Sequence, residues 1–119
     1  FCIAVYKGTK THKNLDTSQH VVLQLLGEHH TDIIKMLGKK SGFDIDKIAK
    51  VHKKHPIITT QERAVLYDCL SYCLIDIDQV ISTTGDHDLI VGTVRSYKNL
   101  SDGQVLTTKK LSALKIIAV

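Results

Sequence analysis

The sequence predicts a mainly β fold with short helices, in which an antiparallel sheet closes into a small barrel. Short runs rich in β-branched residues recur along the chain, and polar turns separate them. One helical pattern interrupts these runs, but the regular alternation of strands and helices that marks a parallel sheet is missing. A length of 119 residues suits one domain, and we expect residues 1–119 to form it.

Strands are predicted at two places in the first half of the chain. The opening FCIAVY is short and rich in residues that favour strands, and the glycine-containing KGTKTHKN after it predicts a basic loop. The next segment, LDTSQH, is long enough to form a short helical turn. VVLQLL then predicts a second strand, because it is β-branched at its start and only six residues long.

A helix is predicted from Thr31, its N-cap, to Gly38 at its end. The apolar residues at helical spacing are Ile33, Ile34 and Leu37. Asp44 or Asp46 is expected to begin a further helical turn. HKKHPIITTQ is expected to be irregular, since its proline biases the preceding residue toward an extended conformation.

The second half predicts consecutive strands joined by short turns. In YCLIDIDQVIS apolar residues alternate with others, including two aspartates, which is the two-residue period of a strand with one wet face. STTGDHD predicts a turn, and LIVGTVRSYK predicts the strand after it. NLSDGQ predicts another turn, because its Asp-Gly pair suits positive φ angles. Two more short strands are expected in QVLTTKK and ALKIIAV.

Composition and charge narrow the function classes. The net charge of +4 and the pI of about 9.0 favour an anionic ligand, either a nucleic acid or a small phosphate-bearing molecule. Three cysteines cannot all pair, and no secretory signal is visible, which predicts a reduced, cytoplasmic protein. No apolar stretch approaches the roughly 18 residues of a membrane-spanning helix. Because Phe1 already lies inside a predicted strand, we expect further residues before it.

The stretch GDHDLIVGTV carries the most specific signal in the chain. Gly92 interrupts a predicted strand, which indicates a bulge, a bend, or a ligand or backbone lying close by, and packing is the commonest of these reasons. Gly85 is most simply a turn glycine. His87 stands at the mouth of the strand between Asp86 and Asp88, so a turn histidine bonded to either carboxylate is the structural alternative to a functional imidazole.

YDCLSYCLIDIDQVISTTGDHDLIVGTV resembles a segment of the flavin reductase-like, FMN-binding split-barrel family, in which a strand leads to a G-D-H-x-L-x-x-G-x-V signature. The matching residues are Leu70, Tyr72, Cys73, Gly85, Asp86, His87, Leu89, Val91, Gly92 and Val94. Upstream, AVYKGTKTHKNLDTSQHVVLQLL and SGFDIDK resemble other segments of that family, in the family's order. The resemblance implies a Greek-key split β-barrel whose first strands have no counterpart in this chain.

The resemblance places the FMN phosphate and ribityl chain beside KGTKTHK. It implies Lys7, Thr9, Lys10 and Thr11 as cofactor-binding residues, and lysines, hydroxyls and backbone N–H groups suit a phosphate dianion. On charge pattern alone, a solvated lysine-rich turn is the simpler explanation. The resemblance also places His87 near the flavin and the nicotinamide, where it would orient the reduced pyridine nucleotide or supply a proton.

Other candidate sites carry weaker signals. Residues 39–41, Lys-Lys-Ser, would edge the same pocket, but a helix-end loop with basic residues explains them better. His29-His30, and His52 with His55, are close histidine pairs. No third ligand has metal-site spacing relative to either pair, so no metal is expected.

The function that the resemblance implies is hydride transfer from NADH or NADPH to FMN, with FAD as the alternative flavin. It also implies a homodimer that passes electrons to a partner protein or other acceptor. A related possibility is a flavoprotein that binds FMN and relays electrons but does not itself turn over as a reductase. The alternative from another class is a basic β-barrel that binds nucleic acid, which the charge favours and the low aromatic content of 5% disfavours.

Overall fold

A computed structural model describes residues 1–61 and 63–118 of the chain. These residues divide into two compact units. The first takes residues 1–23 and 73–97, and the second takes the described residues of 24–72 and 98–119. None of the helices in the described part of the chain has the length and apolarity that crossing a membrane requires.

Strands dominate the structure, and the helices are short. In chain order the strands are β1 (Cys2–Tyr6), β2 (His20–Leu25), β3 (Ile57–Thr60), β4 (Arg63–Leu66), β5 (Ser71–Ile81) and β6 (His87–Asn99). The α-helices are α1 (Lys10–Leu15), α2 (Thr31–Gly38), α3 (Lys47–His52) and α4 (Thr108–Ala113). A 3₁₀ turn, Glu28–His30, leads directly into α2.

A four-stranded sheet organises the first unit, with the strand order β1-β6-β5-β2. β1 pairs with β6 in antiparallel register, from Cys2 opposite Val91 to Tyr6 opposite His87. β5 and β6 are neighbours joined by the short turn at residues 82–86, so they form an antiparallel hairpin. The four strands that the sequence predicts in FCIAVY, VVLQLL, YCLIDIDQVIS and LIVGTVRSYK are therefore confirmed.

At Gly92, β6 lies close against β5. A Cβ atom on Gly92 would lie 2.6 Å from the carbonyl oxygen of Asp76 and 2.6 Å from Cγ2 of Ile75. Both distances are far inside van der Waals contact, so a side chain cannot be accommodated without moving the backbone. Close packing of two strands thus explains the glycine in the middle of β6, and no ligand is needed to account for it.

The basic segment KGTKTHKN is a loop only over residues 7–9, because α1 begins at Lys10. Thr9 is the N-cap of α1, and its hydroxyl accepts a hydrogen bond from the N–H of His12 at 3.2 Å. Gly8 has a φ of 77°, which allows the chain to turn sharply between β1 and the helix. The expectation of a loop across the whole segment is therefore wrong, since a capped helical turn satisfies its backbone groups instead.

The second unit packs α2 and α3 together and places α3 against β3. α2 spans the predicted residues, although His30 and not Thr31 occupies its N-cap position. Asp46 is the N-cap of α3 and accepts a hydrogen bond from the N–H of Ala49 at 3.0 Å, which selects Asp46 over Asp44. The core of this unit includes Ile33, Val51, Val65, Leu66, Cys69, Leu70, Tyr72, Leu111 and Ile116.

Two predictions for the second unit are wrong. HKKHPIITTQ is not irregular throughout, because Ile57–Thr60 forms β3 and pairs with β4 in an antiparallel hairpin. QVLTTKK and the described part of ALKIIAV, residues 113–118, are not strands: Val105 forms an isolated bridge with Gly27, and the chain then enters α4. Val119 lies outside the described residues. Thr107 caps α4 by accepting the N–H of Lys110 at 3.2 Å, and the lysine, leucine and alanine residues that follow favour a helix.

Candidate functional site

The predicted cofactor segment lies beside a buried carboxylate at one end of the first unit's sheet. Asp88, near the start of β6, accepts a hydrogen bond from Nε2 of His12 at 2.8 Å and one from the N–H of Thr83 at 3.1 Å. The ammonium group of Lys7 lies 3.5 Å from the same carboxylate and donates to the carbonyl oxygen of Thr83. The hydrogen bond from His12, followed by that from Thr83, holds the pKa of Asp88 below its ordinary value against the effect of burial.

The four predicted cofactor residues have different surroundings. Lys7 is tied to Asp88, and the hydroxyl of Thr9 is engaged as the cap of α1, where it also donates to the carbonyl oxygen of Tyr6 at 2.9 Å. Lys10 is the exposed first residue of α1. Thr11 lines an apolar pocket of about 150 Å³ within the first unit. The other residues lining it are Phe1, Ile3, Val5, Leu15, Val21, Val22, Leu23 and Ile90.

His87 is the first residue of β6 and contacts one of its two neighbouring carboxylates. Its Nδ1 lies 2.6 Å from Oδ1 of Asp86. Successive side chains of a strand point to opposite faces, and Asp88 accordingly bonds His12 and Lys7. The ring of Tyr6, opposite His87 in the register, lies against the imidazole with centroids 3.7 Å apart and an interplanar angle of 39°.

The structure brings the cationic segment and the imidazole together. The N–H of Lys7 donates to the carbonyl oxygen of Asp86 at 2.9 Å, so residues 7–9 and the turn at 82–86 adjoin. We refer to Lys7, Thr9, Lys10, Thr11, His12 and Asp88 as the cationic corner. His12 and Asp88 are the members that the sequence did not single out. Their contact joins residues that are 76 positions apart in the sequence, and local sequence patterns do not predict a contact over that distance.

Residues 39–41, the weaker sequence candidates, belong to the second unit, and Ser41 begins a local turn. The N–H of Phe43 donates to the hydroxyl of Ser41 at 3.1 Å, and the N–H of Asp44 donates to the carbonyl oxygen of Ser41 at 3.2 Å. These bonds satisfy the loop's own backbone, which agrees with the helix-end loop explanation.

A second cluster of titratable side chains surrounds Asp68 in the second unit. His30 is fully buried, and its Nε2 lies 3.0 Å from Oδ1 of Asp68. His55 approaches Oδ2 of Asp68 through Nδ1 at 3.4 Å, and its Nε2 lies 3.0 Å from both carboxylate oxygens of Asp32. Nε2 of His29 lies 3.5 Å from Oδ2 of Asp68. Three imidazoles thus face one carboxylate.

His29, His30 and Asp68 have ligand atoms within 4.8 Å of one another, as a metal site would need. Two features of His30 disfavour it as a ligand. Its Nδ1 accepts the N–H of Gly27 at 3.1 Å, so in the neutral ring the proton sits on Nε2, the atom that faces Asp68. The rings of His29 and His30 also stack with centroids 3.8 Å apart. Two imidazoles on one tetrahedral ion would have centroids about 5 Å apart, so the cluster is a hydrogen-bonded network.

The charges of this network stabilise one another. Burial is the largest single effect on His55 and acts to lower its pKa, but hydrogen bonds and charge interactions with Asp32 and Asp68 together raise the pKa above its ordinary value. Burial likewise acts to raise the pKa of Asp68, and hydrogen bonds from His30 and His55 lower it overall. Burial is also the largest single effect on Asp32 and acts to raise its pKa, but the hydrogen bond and charge interaction with His55, together with backbone hydrogen bonds, lower the pKa overall. The two carboxylates therefore favour the protonated form of His55.

The sheet and its short helices have the split β-barrel fold of several solved flavin-binding and flavin reductase structures. An FMN-binding protein of Thermus thermophilus superposes with a TM-score of 0.70 at 22% identity, over 83% of this chain and 54% of that protein. The NADH:FAD oxidoreductase of Streptomyces globisporus gives a TM-score of 0.69 at 14% identity, over 82% of this chain and 57% of that one. A flavin reductase domain protein of an Arthrobacter species gives a TM-score of 0.70 at 15% identity, over 88% of this chain and 61% of that one.

The sequence match identifies the family within this class. The model of the flavin reductase like domain matches residues 1–112, so the chain belongs to the flavin reductase-like family. The predicted family and the predicted mainly β, antiparallel split-barrel fold class are both confirmed. No curated protein matches the sequence. The chain spans between 54% and 61% of the length of the three solved structures.

Proposed function

We propose that the chain binds FMN, or FAD as the alternative, in a protein that reduces this flavin with NADH or NADPH and passes the electrons to an acceptor. The observation that carries the proposal is the register of β1 with β6, in which Tyr6 lies opposite His87 and the cationic corner follows directly. In a family of flavin-binding proteins, this register puts groups suited to a phosphate beside an imidazole and a phenol suited to the ring system.

Each member of the cationic corner would have a different role in binding a phosphate dianion. We expect Lys10 to make the most direct contact, since it is exposed at the first position of α1. Lys7 lies close to Asp88 and contributes positive potential from a fixed position, and the contact of His12 with Asp88 fixes that carboxylate. Thr9 fixes the start of α1, and Thr11 lies beside the apolar pocket that the ribityl chain would border. The donor set therefore fits the anionic end of the cofactor.

His87 is the residue that we expect to serve the reaction itself. The flavin, when bound, supplies the hydride-accepting ring. His87 would orient the reduced nicotinamide or move a proton, and its contacts with Asp86 and Tyr6 fix the imidazole for that purpose. The Streptomyces globisporus oxidoreductase has been solved with NAD and FAD fragments, which supports a pyridine nucleotide as the second ligand.

We also propose a single domain over residues 1–119, a homodimer and a cytoplasmic location. β1 and β2 are the outer strands of the four-stranded sheet, and pairing of two copies would protect such an edge. Cys2, Cys69 and Cys73 are free thiols, which suits a reducing compartment. Light scattering of the purified protein measures the assembly: a mass of twice 13.3 kDa supports the dimer, and a mass of 13.3 kDa refutes it.

Quenching of FMN fluorescence on titration with the protein tests the proposal. We expect Lys10→Glu to weaken binding about tenfold or more, because it replaces an attraction for the phosphate by a repulsion. Lys109→Glu, on an exposed position of α4, makes the same charge change away from the corner and should leave binding unchanged.

His87→Ala should keep FMN affinity within about threefold and slow flavin reduction at least about a hundredfold. Salt-sensitive binding of an oligonucleotide without any FMN binding would refute the proposal in favour of a nucleic-acid module.

A further inference from the structure

The hydrogen bond between Asp86 and His87 determines what the imidazole can offer a ligand. Oδ1 of Asp86 lies 2.6 Å from Nδ1 of His87, and an ionised carboxylate only accepts hydrogen bonds. The proton of the neutral imidazole therefore sits on Nδ1, and Nε2 carries a lone pair. Within the described residues, no hydrogen-bond donor reaches that Nε2. The side chain of His87 is 32% exposed, so a ligand can approach it.

Two neighbours keep the imidazole in this arrangement. The ring of Tyr6 lies against it with centroids 3.7 Å apart, which restricts its rotation. The hydroxyl of Thr83 donates to the carbonyl oxygen of His87 and holds the turn in front of β6. Asp88 does not compete for the ring, because it is bonded to His12 at 2.8 Å and lies 3.5 Å from the ammonium of Lys7. Asp86 is thus the carboxylate that selects the tautomer.

We propose that Asp86 is a positioning residue that presents Nε2 of His87 as a hydrogen-bond acceptor for the carboxamide NH₂ group of the reduced nicotinamide. This inference rests on the proposed function and adds to it a preference for one kind of pyridine nucleotide over another. A lone pair at Nε2 favours a ligand group with an N–H to donate and disfavours one with only oxygen acceptors. The carboxamide of NADH or NADPH has such a donor, whereas the carboxylate of the deamido nucleotide has none. The protein should therefore discriminate between the two at the pyridine ring.

The tautomer can be measured without flavin or nucleotide. In protein labelled with ¹⁵N-histidine, long-range proton–nitrogen correlations at pH 8 should show His87 protonated on Nδ1. Two other histidines provide references. His20 should be protonated on Nδ1, which lies 2.7 Å from Asp76, and His12 on Nε2, which faces Asp88. In Asp86→Ala the proton of His87 should move to Nε2, the preferred site of a free imidazole. The parent protein with His87 protonated on Nε2 would overturn the inference.

Flavin reduction then tests the specificity. With FMN as acceptor, we expect the parent to use NADH at least about tenfold better in kcat/KM than reduced nicotinic acid adenine dinucleotide. Asp86→Ala should narrow this preference to about threefold or less. Asp102→Ala removes an exposed aspartate from another turn and should leave the preference unchanged. Equal use of the two nucleotides by the parent overturns this inference alone, whereas no FMN reduction with either nucleotide overturns the proposed function as well.

Discussion

Replacing Gly92 by alanine should destabilise the protein strongly. The added Cβ would lie 2.6 Å from the carbonyl oxygen of Asp76, about 0.8 Å inside ordinary contact. Because the obstacle is the backbone of β5 and not the end of a flexible side chain, relief requires the strands to move apart. Overpacking of this kind costs about 1–3 kcal/mol, and we expect about 2–3 kcal/mol here. For a chain of this size, that loss lowers the Tm by on the order of 10 °C.

Urea denaturation followed by circular dichroism measures this loss. Gly85→Ala is the matched control, since its added Cβ would meet Thr83 Oγ1 at an unstrained 3.8 Å. We expect Gly85→Ala to be neutral or to stabilise the fold by up to about 1 kcal/mol. If Gly92→Ala unfolds within about 0.5 kcal/mol of the parent, strand packing does not explain the glycine. A Gly92→Ala protein with parental stability but no FMN binding would point to a ligand instead.

Three further predictions concern single side chains. Because the pKa of His55 is raised in the folded protein, its stabilisation is complete below its unfolded pKa of about 6.5 and is lost as the pH rises through the folded pKa. The difference in urea midpoint between parent and His55→Gln should therefore shrink from pH 6 to pH 9, and a constant difference would contradict the network. Asp46→Ala should cost about 1 kcal/mol in urea denaturation and Asp44→Ala less than about 0.5 kcal/mol, whereas equal losses would refute the cap. Burial and the nearby Asp68 charge raise the pKa of Cys69, so iodoacetamide should modify exposed Cys2 first, and mass spectrometry of the peptides would reveal a reversed order.

Elements with strong local signals were predictable from the sequence. The alternation of apolar and polar residues in YCLIDIDQVIS predicted β5. The GDHDLIVGTV stretch predicted the turn and the start of β6. The elements that were missed depend on weaker signals. In α1 and α4 a threonine cap precedes only six helical residues, which is too short for helical periodicity to stand out. The β3–β4 hairpin has no glycine, proline or asparagine at its turn, and Gln61 takes a φ of 45° there.

The candidate site was predictable in its parts but not in its connections. The family resemblance pointed to lysines and threonines near the amino terminus and to an imidazole at a later turn, whereas charge pattern alone favoured a solvated turn. Their proximity follows from the pairing of β1 with β6, in which Cys2 lies opposite Val91. Asp88 directly follows His87 in the sequence, yet strand alternation turns its side chain toward His12. The network around Asp68 likewise joins side chains that are distant in the chain, and only the folded structure reveals such pairings.

The most direct test is to titrate ¹⁵N-labelled protein with FMN and to follow the backbone amide signals. If the cationic corner and the imidazole serve one flavin, the largest shifts will occur together at residues 6–12 and 86–88. Riboflavin, which lacks the phosphate, should still shift residues 86–88 but should shift residues 7–12 much less. FMN shifts confined to one of the two segments, or located elsewhere in the chain, would contradict a single flavin site at this end of the sheet.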